Sequence, residues 1–157
     1  MTHIIDSLLR FPNVAGSLHL RRQRVGHIFR IEHRGDFSVF RETENSQPAD
    51  APPVVVVIGF RLKAIGAQPL LHWLFQRLCI MTTPFWAGMA GFRVKLWMVN
   101  METKEYGGVY EWRGEDQAQR YVDFLLPVLG FFSKKDSIWF RLFPDIQIDN
   151  YLADRQQ

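Results

Sequence analysis

The stretch from Gly91 to Phe143 constrains this chain most, because its hydrophobic period changes from strand to helix and back within one short span. Phe92 to Asn100 (FRVKLWMVN) is a β-type run with aromatic and branched residues. Met101 to Glu105 is a polar connector, and Tyr106 to Trp112 is a second β-type run close enough to pair as a hairpin. Gly114, Glu115 and Asp116 then open a helix, with acids in the first turn where the helix dipole favours them. Ala118, Tyr121, Val122, Leu125 and Leu129 recur at helical spacing. Ser137 to Phe143 reads as a last short strand, closed by Pro144.

Upstream, Val54 to Lys63 is apolar without alternation in its first half, so it reads as a strand covered on both faces. Arg61 and Lys63 mark where it leaves the sheet. Pro69 starts a helix, and Leu70 to Met81 is apolar nearly all round except for His72, Gln76 and Cys79, which share one stripe. The order is then β-α-β-β-α-β, the split βαβ arrangement of a ferredoxin-like α+β fold. The expected organisation is an extension over 1–50, a core domain over 51–145 and a tail over 146–157.

The extension contains an amphipathic helix from Thr2 to Phe11, broken by Pro12 and Gly16. A hairpin follows over Arg24 to Glu42, with Val25, His27, Phe29 and Ile31 alternating and His33-Arg34-Gly35-Asp36 as the turn. This hairpin either extends the main sheet or forms a flap. Thr43 to Pro53 is polar and proline-rich, the composition of an exposed linker. Thr82 to Gly91 reads as an aromatic loop. The tail carries Ile146, Ile148, Tyr151 and Leu152, enough for a turn or two of surface helix.

With 157 residues and 47% hydrophobic content the chain has one domain's worth of core, and 14% aromatics implies a bulky core, a cavity or a buried subunit face. The net charge of +3 is small, and the densest basic run, Arg21, Arg22 and Arg24, is too short for a nucleic-acid footprint. Cys79 is the one cysteine, so neither an intrachain disulfide nor a multi-thiolate metal site is expected, and a reducing cytoplasm is the natural compartment. Asp6 and Arg10 interrupt the first apolar stretch, against a signal-peptide core, and Val54 to Phe60 is too short for a membrane helix. His19, His27 and His33, spaced by 8 and 6, match no standard zinc spacing, so no metal site is expected. No phosphate-cradling or nucleophile-elbow motif is present.

Alternation places Arg93, Lys95, Trp97 and Val99 on one face of their strand, and Phe92, Val94, Leu96, Met98 and Asn100 on the other. Tyr106, Gly108, Tyr110 and Trp112 share a face, as do Trp139, Arg141 and Phe143. These aromatics have two readings: the lining of a small-molecule pocket, or simply core. Glu102, Glu105, Glu111 and Asp123 stand as isolated acids.

From about Pro53 to Pro144 the chain resembles the dimeric α+β barrel superfamily, and within it the YdhR-type mono-oxygenases. TTPFWAGMAGFRVKLWMVN, YGGVYEW and GEDQAQRYVDF carry the resemblance. It implies a homodimer whose four-stranded sheets pack together, each protomer keeping a pocket between its own sheet and helices. It also implies oxygenation of a hydrophobic, aromatic or polyketide-like molecule without a resident cofactor, with haem or flavin as the alternatives. Cyclisation, dehydration, decarboxylation or ligand binding without turnover are the rival functions, since fold does not decide chemistry. In this expectation His72, Asn100 and Arg141 are catalytic: His72 as base, Asn100 with Trp97 positioning oxygen or substrate, and Arg141 or Tyr110 stabilising an anion. Trp86, Trp97, Tyr110, Trp112, Trp139 and Gln76 line the substrate. The cover for the second sheet face comes from a second subunit or from the N-terminal segment. Neither nucleic acid nor membrane is an expected partner.

Overall fold

The structure is a computed structural model that describes residues 2–47, 50–63, 73, 75, 77 and 82–156. The described elements are α1 (Thr2–Ala15), β1 (Leu18–Arg21), β2 (Ile28–Ile31), β3 (Gly35–Asn45), β4 (Pro53–Phe60), α2 (Thr83–Ala87), β5 (Phe92–Asn100), β6 (Glu105–Arg113), α3 (Glu115–Phe132), a 3₁₀ turn (Lys135–Ser137), β7 (Trp139–Pro144) and α4 (Ile148–Ala153). Trp73, Phe75 and Arg77 are helical. Most of the helix expected over 70–81 lies outside the described residues.

The sheet order is β1-β3-β5-β6-β4-β7, with β2 also paired to β3, and the pairings are antiparallel. Read from β7 inward, β7-β4-β6-β5 is the strand order of a ferredoxin-like βαββαβ unit, as the hydrophobic periods require. The expected hairpin extends this sheet. β3 pairs along β5, and β2 and then β1 pair in succession along the far side of β3. Thr43 to Asn45, expected in a linker, belongs to β3, because pairing to both β1 and β5 satisfies its backbone groups. α1 runs through Pro12 to Ala15, past its expected end. Proline there removes one bond from an exposed last turn, where water can replace it.

Both faces of β4 are buried, as its unbroken apolar run predicts. Val54, Val56, Ile58 and Phe60 face α3 and Phe75, while Val55 and Val57 face a second core. That second core contains Phe29, Ile31, Phe37, Val39, Leu96, Met98 and Val109, and it is closed by Ile148, Tyr151 and Leu152 of α4. The tail is therefore not a surface turn: these three residues are among the most buried in the chain. The face that the sequence left to a second subunit or to the N-terminal segment is thus covered in this region by the chain's own α4.

Buried charge fixes α4 in place. Glu111 Oε2 accepts the Ile148 amide at 2.9 Å and its other oxygen pairs with Arg113 at 3.2 Å. A carboxylate at the first amides of a helix is favourable for the helix dipole. Arg24, read as part of a solvated basic run, bridges Glu42, which is 1% exposed, to Asp149 of α4. Burial works against the Arg24 charge, but the hydrogen bonds and fields of Asp149 and Glu42 outweigh it and hold its pKa above the ordinary value. Arg30 N donates to Arg155 O at 2.8 Å and ties β2 to the segment after α4.

Leu152→Ala is expected to cost about 2–5 kcal/mol in chemical denaturation, the range for truncating a buried leucine. A cost near zero would show that α4 is not part of the core. Burial also pushes the Tyr151 phenol up from its ordinary value. A raised pKa favours the neutral form in the folded state. That stability is fully present below the unfolded value of about 10 and is lost as pH rises through the folded value. Tyr151→Phe is expected to flatten the alkaline limb of a plot of stability against pH.

Candidate functional site

The helix-covered face of the sheet carries a continuous aromatic layer. Phe75 meets Tyr106 at 4.6 Å between ring centroids, and Phe40 lies 6.5 Å from both Tyr106 and Trp97. Trp86 meets Trp97 at 6.2 Å and Phe92 at 4.7 Å. The layer continues from Phe92 to Trp112 at 5.6 Å, then to Tyr121 at 4.8 Å and Tyr110 at 4.9 Å. Tyr106, Tyr110 and Trp112 reach it together because β6 alternates as expected.

Two irregularities in the sheet put further residues on this face. The register of β5 shifts between Phe92 and Val94. Phe92 is thereby turned to the Trp112 side, against the simple alternation that grouped it with Val94 and Leu96. A second shift lies in β3 between Val39 and Arg41. Val39 faces the second core, whereas Phe40 packs on the aromatic layer and Arg41 stands opposite Trp97. β-bulges re-aim side chains in this way.

At the centre of the layer is Lys95, 2% exposed. Its Nζ lies 3.3 Å from the Trp97 ring centroid, 4.4 Å from that of Trp86 and 4.8 Å from that of Tyr110. A desolvated ammonium against an indole face gains on the order of 2 kcal/mol. Thr43 stands directly opposite Lys95 on β3, and Tyr110 opposite it on β6. Arg41 Nη2 reaches Thr83 Oγ1 of α2 at 3.4 Å. Gly108 makes room for the Tyr110 ring, since a Cβ there would meet the phenol oxygen at 2.6 Å.

This cage leaves hydrogen-bonding capacity unused. Trp86 Nε1, Trp97 Nε1, Trp112 Nε1 and Thr43 Oγ1 are buried with no hydrogen-bond partner among the described residues. A buried donor without a partner costs roughly 1–3 kcal/mol, so several in one layer call for an explanation. A ligand carrying oxygen acceptors is one that fits.

The expected site residues fall in three places. Trp86, Trp97, Tyr110 and Trp112 come together in the aromatic layer. Trp139 and Arg141 lie on the opposite face, because β7 pairs Arg141 with Val57 and Trp139 with Gly59. Trp139 Nε1 there donates to Glu105 Oε1 at 2.6 Å. Asn100 also leaves the aromatic layer: its Nδ2 donates to Arg34 O at 3.1 Å, and its Oδ1 accepts the amides of Glu102 and Thr103, each at 3.0 Å. Those bonds make it a turn-forming residue. His72 and Gln76 lie outside the described residues. Among the described residues no group of His, Cys, Asp and Glu could hold a metal, and no helix is long and apolar enough to cross a membrane.

Lys95 was legible in FRVKLWMVN as a lysine sharing a face with Trp97. Nothing in the sequence marked that face as dry. Thr43 and Arg41 were hidden by the polar composition after β3 and by the bulge.

An antiparallel sheet whose β7-β4-β6-β5 portion has this order, with α3 on one face and α4 on the other, defines a ferredoxin-like α+β protein. Residues 81–137 match the family described as "Putative mono-oxygenase ydhR". The match spans α2, β5, β6 and α3, and therefore Trp86, Lys95, Trp97, Tyr110 and Trp112. No curated protein matches the chain significantly.

Gly108→Ala is expected to displace the Tyr110 ring, costing about 1–3 kcal/mol and changing the near-UV circular dichroism. An unchanged spectrum would mean that the ring is not held against the Lys95 cage.

Proposed function

We propose that the chain is a mono-oxygenase for a hydrophobic, aromatic small molecule that reacts as its phenolate- or enolate-type anion. The observation that carries this reading is the buried Lys95 cage with indole N–H groups that find no partner among the described residues, inside the segment that matches the mono-oxygenase family. The flat substrate stacks on the layer formed by Trp86, Trp97 and Tyr110. Its anionic oxygen faces the Lys95 ammonium, and the Trp86 and Trp97 indoles and the Thr43 hydroxyl donate to its oxygens. A preorganised cation in a dry site stabilises developing negative charge far better than water does.

The chemistry balances with molecular oxygen as the co-substrate. A methylene activated by the adjoining aromatic system loses a proton, and the resulting anion gives its electrons to oxygen, forming a C–O bond. Loss of water from the peroxide leaves a carbonyl. Both hydrogens of the methylene and one oxygen atom leave as water, and the other oxygen atom stays in the product. The substrate supplies all four electrons. His72 is assigned the proton-accepting role, and the anion-stabilising role falls to Lys95 in place of Arg141.

The test is an oxygen electrode with a panel of anthrone-type and related phenolic substrates, followed by labelling with ¹⁸O₂. One labelled oxygen per product is expected. Lys95→Met is expected to lower kcat by about 10²–10³. Product formation without oxygen uptake would move the site to non-redox chemistry such as cyclisation or dehydration. Turnover indifferent to Lys95→Met would remove the cage from the mechanism.

A further inference from the structure

The opposite face of the sheet holds a cavity of about 180 Å³ at the β7 edge. Val57 forms its floor and Ile31, Trp139, Phe143 and Tyr151 its walls. At its mouth stand Glu32, Arg34 and Arg141. The geometry points to a binding site for a single-ring aromatic carboxylate, its ring between Trp139 and Tyr151 and its carboxylate on Arg34 and Arg141. This inference is independent of the chemistry proposed for the Lys95 cage.

The walls are built, not incidental. Trp139 lies over Gly59, where any Cβ would collide with the indole. Its Nε1 is held by Glu105, which is itself buried. Asn100 fixes the backbone of Arg34 through its carbonyl at 3.1 Å. The Arg34 guanidinium lies 4.9 Å from the Trp139 ring centroid and makes no ion pair among the described residues. Phe143 meets Tyr151 at 5.0 Å, so the far wall is aromatic as well.

The charge at the mouth is positive. Glu32 is held by Arg155 at 3.2 Å, and reaches Arg141 only at 3.5 Å. Arg141 is thus weakly engaged and half exposed, and it can turn to a ligand. Two guanidinium forks flanking an apolar slot suit a planar carboxylate, which accepts paired N–H donors. Size agrees: a cavity of about 150 Å³ accommodates benzene. The pocket is assembled from β2, the turn after it, β7 and α4, so most of it lies outside residues 81–137 that match the mono-oxygenase family.

Benzoate is the probe, added to the ¹⁵N-labelled full chain, with benzamide as the neutral isostere. The Trp139 indole signal is assigned by its disappearance in Trp139→Phe. It is expected to shift saturably with benzoate, and benzamide is expected to bind at least tenfold more weakly. Arg34→Gln and Arg141→Gln, both at exposed positions, are each expected to weaken benzoate at least fivefold, while Lys95→Met leaves its affinity unchanged. No shift at Trp139, or equal affinity for benzamide, would overturn the site whatever the arginine variants do. Indifference to both arginine substitutions, or loss of binding in Lys95→Met, would overturn it by placing the ligand elsewhere.

Discussion

A strand that is apolar on both faces cannot lie at the surface of anything, and β4 is such a strand. Val54 to Ile58 is buried on each side, so the sheet built around it needs two covers. On one side α3 and the aromatic residues of β5 and β6 supply the cover; on the other, α4 and the extended hairpin do. The ion pairs of Arg24 and the carboxylate of Glu111 then serve one purpose, to pin the second cover down. Each joins α4 to a strand distant in sequence, and that is why a tail of modest apolar content ends up inside.

The two covers give the sheet two chemically different faces. The side facing α3 is dry and rich in rings, with Lys95 at its centre and indole donors that lack partners among the described residues. The other side is a mixed aliphatic and aromatic core that opens at the β7 edge into a slot rimmed with arginines. Alternation along single strands separates them. Trp97 and Trp139 belong to one hydrogen-bonded sheet yet stand on opposite sides of it, as do Tyr110 and Arg141. A site drawn from a pool of aromatic and polar residues therefore divides in two once strand pairing is known.

Bulges decide what alternation cannot. The shift in β3 lets Phe40 and Arg41, adjacent in sequence, both serve the aromatic face, and the shift in β5 turns Phe92 toward Trp112. Without them the layer would lose its link between Trp86 and Trp112, and β3 would present a different set of residues to Lys95. Small departures from regular pairing thus assemble the cage, in keeping with the enrichment of bulges beside functional sites.

The sequence by itself determined the periods of the core: strand, hairpin, helix and strand from Phe92 to Phe143, and a doubly buried strand at Val54. Those periods are local consequences of which side chains must leave water, so they can be read from neighbours along the chain. The faces of β6 and β7 were legible for the same reason. Only the tertiary structure decided that Thr43 to Asn45 pairs as strand, that the tail closes the second core, and that Lys95 is dry. Each depends on partners outside its own strand or helix: β1 and β5 for Thr43, Arg24 and Glu111 for α4, and Trp86 for Lys95. Burial of a charge is a property of what surrounds it, and no local pattern records that.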